Sequence, residues 1–310
     1  MRILFKYIVF GFALVFIVSC GNTMEESTFP SDYNTESLNK SYTSLHSDLT
    51  RMNVEMESAA SRSFLSRFFK RVLNVFVSDC VGAIRGAFEG ENIWQSAQGA
   101  SCVSAKKQGF IEGVDAANIL LSRAMLENDD LVTSKIQPKQ VALDGLILVD
   151  SSTATLKDSI GFFHNDVIYK IFENDNNITF WKEISDEDCL NKLNTEITKV
   201  SKETTYKDTI LNKSTIDFCH FIGDVSVESQ NYEALLESTK KAYPQLGNML
   251  DITSVYFEGM ELVSTEEEWQ QYCKKVIETI SNSSIPSKDK DALKMGVTVG
   301  YASSKLWKSE

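Results

Sequence analysis

The sequence predicts an all-α protein, a multi-helix bundle with a glycine-striped helical hairpin and room for a minor short β-ribbon. Three observations predict it. Apolar residues recur at three- and four-residue steps along most of the chain, glycine and proline fall mostly where helices would start or stop, and strand-like runs are confined to two short stretches.

Taken in order, residues 62–76 place Phe64, Leu65, Phe68, Phe69, Val72, Leu73, Val75 and Phe76 on one half of a helical wheel, with Arg67, Lys70, Arg71 and Asn74 on the other. A second helix is expected near 104–125. Leu156, Ile160, Phe163, Val167 and Ile171 predict a helix over 154–173, which the loop Asn174-Asp175-Asn176-Asn177 ends. Beyond it, Ser185 with Asp188 three residues on has the form of a capping box, and Leu190, Leu193, Ile197 and Val200 continue the stripe. Further helices fit 229–243, 245–263, 266–282 and 288–307, separated by Pro244, Ser264-Thr265 and Pro286. The two strand-like runs are Val141–Val149 and Ile178–Trp181.

Composition bounds the function. The chain has 310 residues, a net charge of −12, 43% hydrophobic residues and four prolines, which excludes disorder, collagen and a polytopic membrane protein. A body this acidic is a poor partner for nucleic acid.

At the amino terminus, Arg2 and Lys6 precede an apolar run from Tyr7 to Val18, the layout of a secretory signal too short for a normal membrane span. The run ends in Ile17-Val18-Ser19-Cys20, which resembles the bacterial lipobox. That resemblance implies cleavage before Cys20 and acylation of Cys20 with diacylglycerol and a further fatty acid such as palmitate, an anchor needing no transmembrane helix. Loss of residues 1–19 would leave a charge of −14. The Ser-, Thr- and Asn-rich stretch to residue 45 suits a solvated tether. Glu25-Glu26 resembles the export signal of Bacteroidetes lipoproteins carried to the outer face of the outer membrane. The expected organisation is a signal peptide over 1–19, an acylated terminus and tether over 20–45, a small-residue-rich helical part over 46–126 and a helical domain over 139–310. The seam between the last two lies at Glu127-Asn128-Asp129-Asp130 and Pro138.

Five cysteines follow Cys20: Cys80, Cys102, Cys189, Cys219 and Cys273. An export compartment permits disulfides, but an odd number leaves at least one thiol or intermolecular bond, and sequence alone leaves the pairing open. With no CxxC pair and no Cys/His cluster, neither a metal nor a cofactor site is expected.

Glycines stand four apart at Gly82/Gly86/Gly90, Gly109/Gly113 and Gly296/Gly300, a spacing that lets helices approach closely. The run Gly82–Gly90 followed by Ala97, Gly99, Ala100, Ser101 and Ala105 resembles the glycine-zipper stretches of some bacterial envelope proteins and bacteriocins. The resemblance implies helix association in or on membranes. Asp79, Arg85, Glu89 and Glu91 oppose insertion and favour a packed hairpin of 76–90 against 104–121.

For chemistry there are three histidines, His46, His164 and His220. His164, one turn after Gly161 and beside Asn165, is the candidate for a small polar pocket, weighed against a histidine satisfied within a packed helix. No nucleophile elbow, P-loop, dinucleotide fingerprint, HExxH or EF-hand loop is present in the sequence. Asp158-Ser159-Ile160 and Asp208-Thr209-Ile210 resemble the Bacteroidetes O-glycosylation acceptor, which makes Thr209 and Ser159 candidate sites.

These readings point to a lipid-anchored cell-envelope protein, periplasmic or surface-exposed, with a noncatalytic binding or assembly role and an envelope protein as partner. Two others remain open: a membrane-active, oligomerising protein using residues 62–121, and a periplasmic hydrolase with its site near His164.

Overall fold

The structure, a computed structural model, describes residues 35–57, 70–91, 93–108, 136–138, 146, 148, 159–174, 184–201 and 212–309. The protein divides into two compact units, 1–38 and 39–310; of the first, only Thr35–Leu38, the opening turn of α1, is described. The described helices are α1 (Thr35–Glu57), α2 (Lys70–Glu89), α3 (Ile93–Lys107), α4 (Ile160–Asn174), α5 (Asp186–Ser201), α6 (Lys213–Glu228), α7 (Tyr232–Ala242), α8 (Gly247–Leu262), α9 (Glu266–Asn282) and α10 (Ser287–Leu306). This is the expected all-α bundle. Its one described ribbon pairs β1 (Ile136–Pro138) antiparallel with β2 (Trp307–Ser309). Of the strand-like runs, all but Leu146 and Leu148 lie outside the described residues.

The second unit is organised around α2. From Val72 to Arg85 its described side chains are buried, Leu73 excepted, so this helix is wrapped by neighbours on every side. Gly90, at φ +71°, ends it in the left-handed conformation that glycine adopts without a Cβ penalty, and the chain turns directly into α3. The hairpin partner among the described residues is 93–107; of the expected 104–121, residues 109–121 lie outside the described residues. Gly82 and Gly86 lie against it: an added Cβ at Gly82 would sit 2.7 Å from the Ser96 carbonyl and 3.0 Å from Ala100 Cβ. On the opposite side α10 closes on α2, with Gly296 facing Ile84 and Cys80. Gly109 and Gly113 lie outside the described residues.

Helix α3 is buried from Trp94 to Ala105 and carries α4, α5 and α6 on its outer surface. Of the expected seam, residues 127–130 lie outside the described residues and Pro138 is in β1; on either side of it, α2 and α3 pack directly on α4, α6 and α10. Aromatic stacking of Tyr256, Trp269 and Tyr272 joins α8 to α9. Helix α9 starts where expected, at a complete capping box between Thr265 and Glu268.

Two further helices depart from expectation. Residues 35–45 belong to α1 instead of the tether, since Tyr42, Leu45 and Leu49 form an inward stripe within an otherwise polar sequence. Helix α6, opened by the Asn212 side chain accepting from the Thr215 amide, was not anticipated; Phe218, Cys219 and Ile222 are its buried face.

Candidate functional site

Polar side chains converge inside the bundle where α2, α3, α4 and α10 meet. Gly161 allows the convergence, because an added Cβ there would lie 2.7 Å from Ala302 Cβ and 2.8 Å from the Thr298 carbonyl. At that separation Asn165 Nδ2 donates to the Ala302 carbonyl at 2.8 Å, and its Oδ1 lies 3.0 Å from His164 Nδ1. His164 Nε2 faces Asp79 Oδ2 at 3.5 Å, and Ser303 and Ser101 donate to that same oxygen at 2.5 and 3.1 Å. His164 is 1% exposed and Asp79 is completely buried.

Burial controls the electrostatics. It pushes the Asp79 carboxyl well above the usual carboxylate range despite the two serine hydrogen bonds that oppose the shift. It also pushes His164 down to about 4, against the opposing hydrogen bond from Asn165. Asp79 Oδ1 and His164 Nε2 have no hydrogen-bond partner among the described residues. The cluster holds an aspartate, a histidine and two serines, but both hydroxyls serve the carboxylate instead of the imidazole. A serine nucleophile needs its base on its own hydroxyl and a path for substrate.

A second knot closes the turn between α2 and α3. Arg85, 1% exposed, reaches Glu91 through two nitrogens at 2.8 and 3.3 Å, Glu89 at 2.6 Å and Ser214 of α6 at 2.6 Å, and its guanidinium stacks 4.7 Å over Phe218. Burial raises the Glu91 carboxyl, but the Thr215 hydrogen bond and the Arg85 charge outweigh it and hold the group below the carboxylate range. The cation ties α6 to the hairpin.

Cys102 and Cys189 form a disulfide between α3 and α5, while Cys80, Cys219 and Cys273 are buried thiols. Burial pushes Cys219 up to about 12, so it is an inert core group at neutral pH. The described surface groove, about 500 Å³, runs between α1 and α9 and is lined by charges of both signs, including Asp48, Arg51, Glu55, Lys275 and Glu278.

Of the residues singled out in the sequence, His164 is placed in the buried cluster, Ser159 is half-buried in the turn that opens α4, and His46 is exposed on α1. Cys20 and Thr209 lie outside the described residues, as does most of the basic amphipathic stretch 62–76. Asp79, Ser101, Ser303 and Arg85 had no local signal pairing them with their partners. Among the described residues no group of three or more His, Cys, Asp or Glu is placed to hold a metal ion, and no helix is long and apolar enough to cross a membrane. No protein-family model, curated protein or solved structure matches the chain.

Proposed function

We propose that this is a lipid-anchored protein of the cell envelope, held to the outer membrane through acylated Cys20, whose helical body serves binding or assembly rather than catalysis. The observation that carries the reading is Ile17-Val18-Ser19-Cys20 at the end of a basic, apolar leader. A disulfide between Cys102 and Cys189 supports an oxidising compartment outside the cytoplasm. The noncatalytic part rests on the burial of Asp79, His164, Ser101 and Ser303 and on hydroxyls committed to a carboxylate. Gly82, Gly86 and Gly296 are occupied by neighbouring helices, which accounts for their spacing without a membrane.

The test is the full chain against a Cys20→Ala variant in a related bacterium, read by lipid labelling, fractionation and protease accessibility in intact cells. Loss of label and of membrane association in the variant is expected. An unchanged variant would overturn the anchor and direct attention to residues 62–121. Protease sensitivity of the wild type in intact cells would place its partners outside the cell, and protection would place them in the periplasm.

A further inference from the structure

Hydrogen-bond geometry around Asp79 determines how many protons the site must hold. A carbonyl only accepts, so the Asn165 group 2.8 Å from the Ala302 oxygen is the amide nitrogen, and Oδ1 is left facing His164 Nδ1 at 3.0 Å. That oxygen also only accepts, so Nδ1 carries a hydrogen. On the other side of the ring, Nε2 lies 3.5 Å from Asp79 Oδ2 with no other partner among the described residues. A neutral imidazole beside a carboxylate would there oppose two lone pairs inside the core and leave an uncompensated buried negative charge.

We propose that the Asp79–His164 pair retains one proton in addition to that on Nδ1, held between the carboxyl and Nε2, so that folding takes up a proton from water at neutral pH. Written as acid beside imidazole or as carboxylate beside imidazolium, the pair is neutral, and Ser101 and Ser303 donate to Oδ2 in either form. The polar and titratable groups set around it among the described residues come from each of the four helices. Cys80 on α2 has its thiol pushed up by burial; α3 contributes Ser101, α4 Asn165 and α10 Ser303. Cations described on these helices have other partners: Arg85 with Glu89 and Glu91, Lys106 and Lys107 with Asp186, Lys170 with Asp166, and Lys305 with Glu266.

The sign of the pH dependence follows. Unfolded, the pair titrates near 3.9 and 6.5, so from about pH 4 to 6.5 both states bind one proton and stability is level. Above 6.5 the unfolded chain releases its proton and the native pair keeps it. Stability then falls with pH, the folding equilibrium dropping about eightfold between pH 7 and 8 from this pair alone. The buried thiols Cys80, Cys219 and Cys273, also pushed up, add loss of the same sign as unfolded thiols ionise near pH 8.5, which makes 7 to 8 the window to read. The joint of α2, α3, α4 and α10 is thereby tighter at pH 6 than at pH 8.

The experiment is urea unfolding of the full chain at pH 6, 7 and 8 beside Asp79→Asn, which replaces the carboxyl with an amide that does not titrate. The wild-type equilibrium is expected to fall about tenfold relative to the variant's from pH 7 to 8, since the two unfolded chains titrate alike and only the wild-type native state keeps the proton. Parallel pH profiles would overturn the proposal. Should the variant fail to fold, nitrogen-15 NMR of His164 in the wild type decides. Nδ1 protonated, with an Nε2 shift moved away from that of a bare ring nitrogen and constant from pH 6 to 8, supports the shared proton; a bare Nε2, or a ring protonated at Nε2 alone, excludes it.

Discussion

Opening the Cys102–Cys189 bond is expected to destabilise the fold more than removal of any single hydrogen bond described. The bond joins residues 87 apart in sequence. In the chain-entropy account, closing a loop of that length removes about 15 cal/mol/K from the unfolded ensemble, about 4.6 kcal/mol at 25 °C. Domains are stable by about 5–15 kcal/mol, so the loss is a third or more of the total. Reduction is a cleaner perturbation than substitution, because both sulfurs stay in the core and no cavity opens. The assay is urea unfolding with and without reductant, with mass spectrometry after alkylation to count thiols: three in the native protein and five after reduction of the body following Cys20. A difference under about 1 kcal/mol at unchanged m-value would refute the reasoning, since it would mean that the bond does not constrain the unfolded chain.

Three further outcomes are expected. Gly82→Val drives side-chain atoms into the Ser96 carbonyl and Ala100, and a loss of about 3 kcal/mol or failure of the hairpin to form is expected in thermal unfolding. Arg85→Met leaves Glu91 partly buried without its cation, with an expected loss of about 3 kcal/mol; Glu91 is held low, so its contribution is present above pH 4.5 and lost as pH falls below it, and Glu91→Gln should flatten the acid limb of the stability profile. Thr265→Ala removes the α9 cap and should reduce stability by about 1 kcal/mol, measured by the urea midpoint, with the helical circular dichroism spectrum retained.

Legibility in the sequence followed the range of the forces involved. Helix α9 lies where the sequence places it, over 266–282, because the forces that start it are local: the structure shows a Thr265–Glu268 box followed by a buried stripe of Trp269, Tyr272, Cys273, Val276 and Ile280. Helices α4, α5, α8 and α10 were found by the same spacing. The beginning of α1 was hidden because three buried residues among Ser, Thr and Asn resemble a tether until a groove exists to receive them. Helix α3 escapes the sequence for a related reason, as a buried helix rich in Ala, Gly, Ser and Gln has little apolar contrast to read, and the helix expected near 104–125 lies mostly outside the described residues.

The sequence by itself determined the all-α class and the positions where backbones must approach closely, since propensity, capping and the missing Cβ of glycine are carried by a residue and its near neighbours. Tertiary structure alone decided that Asp79 meets His164, that Arg85 bridges to Ser214 and Phe218, and which two of five cysteines join. Those partners lie 85, 129, 133 and 87 residues apart in the chain. Nothing local encodes such meetings; they exist only once α2, α3, α4, α5, α6 and α10 have packed and excluded water from between them.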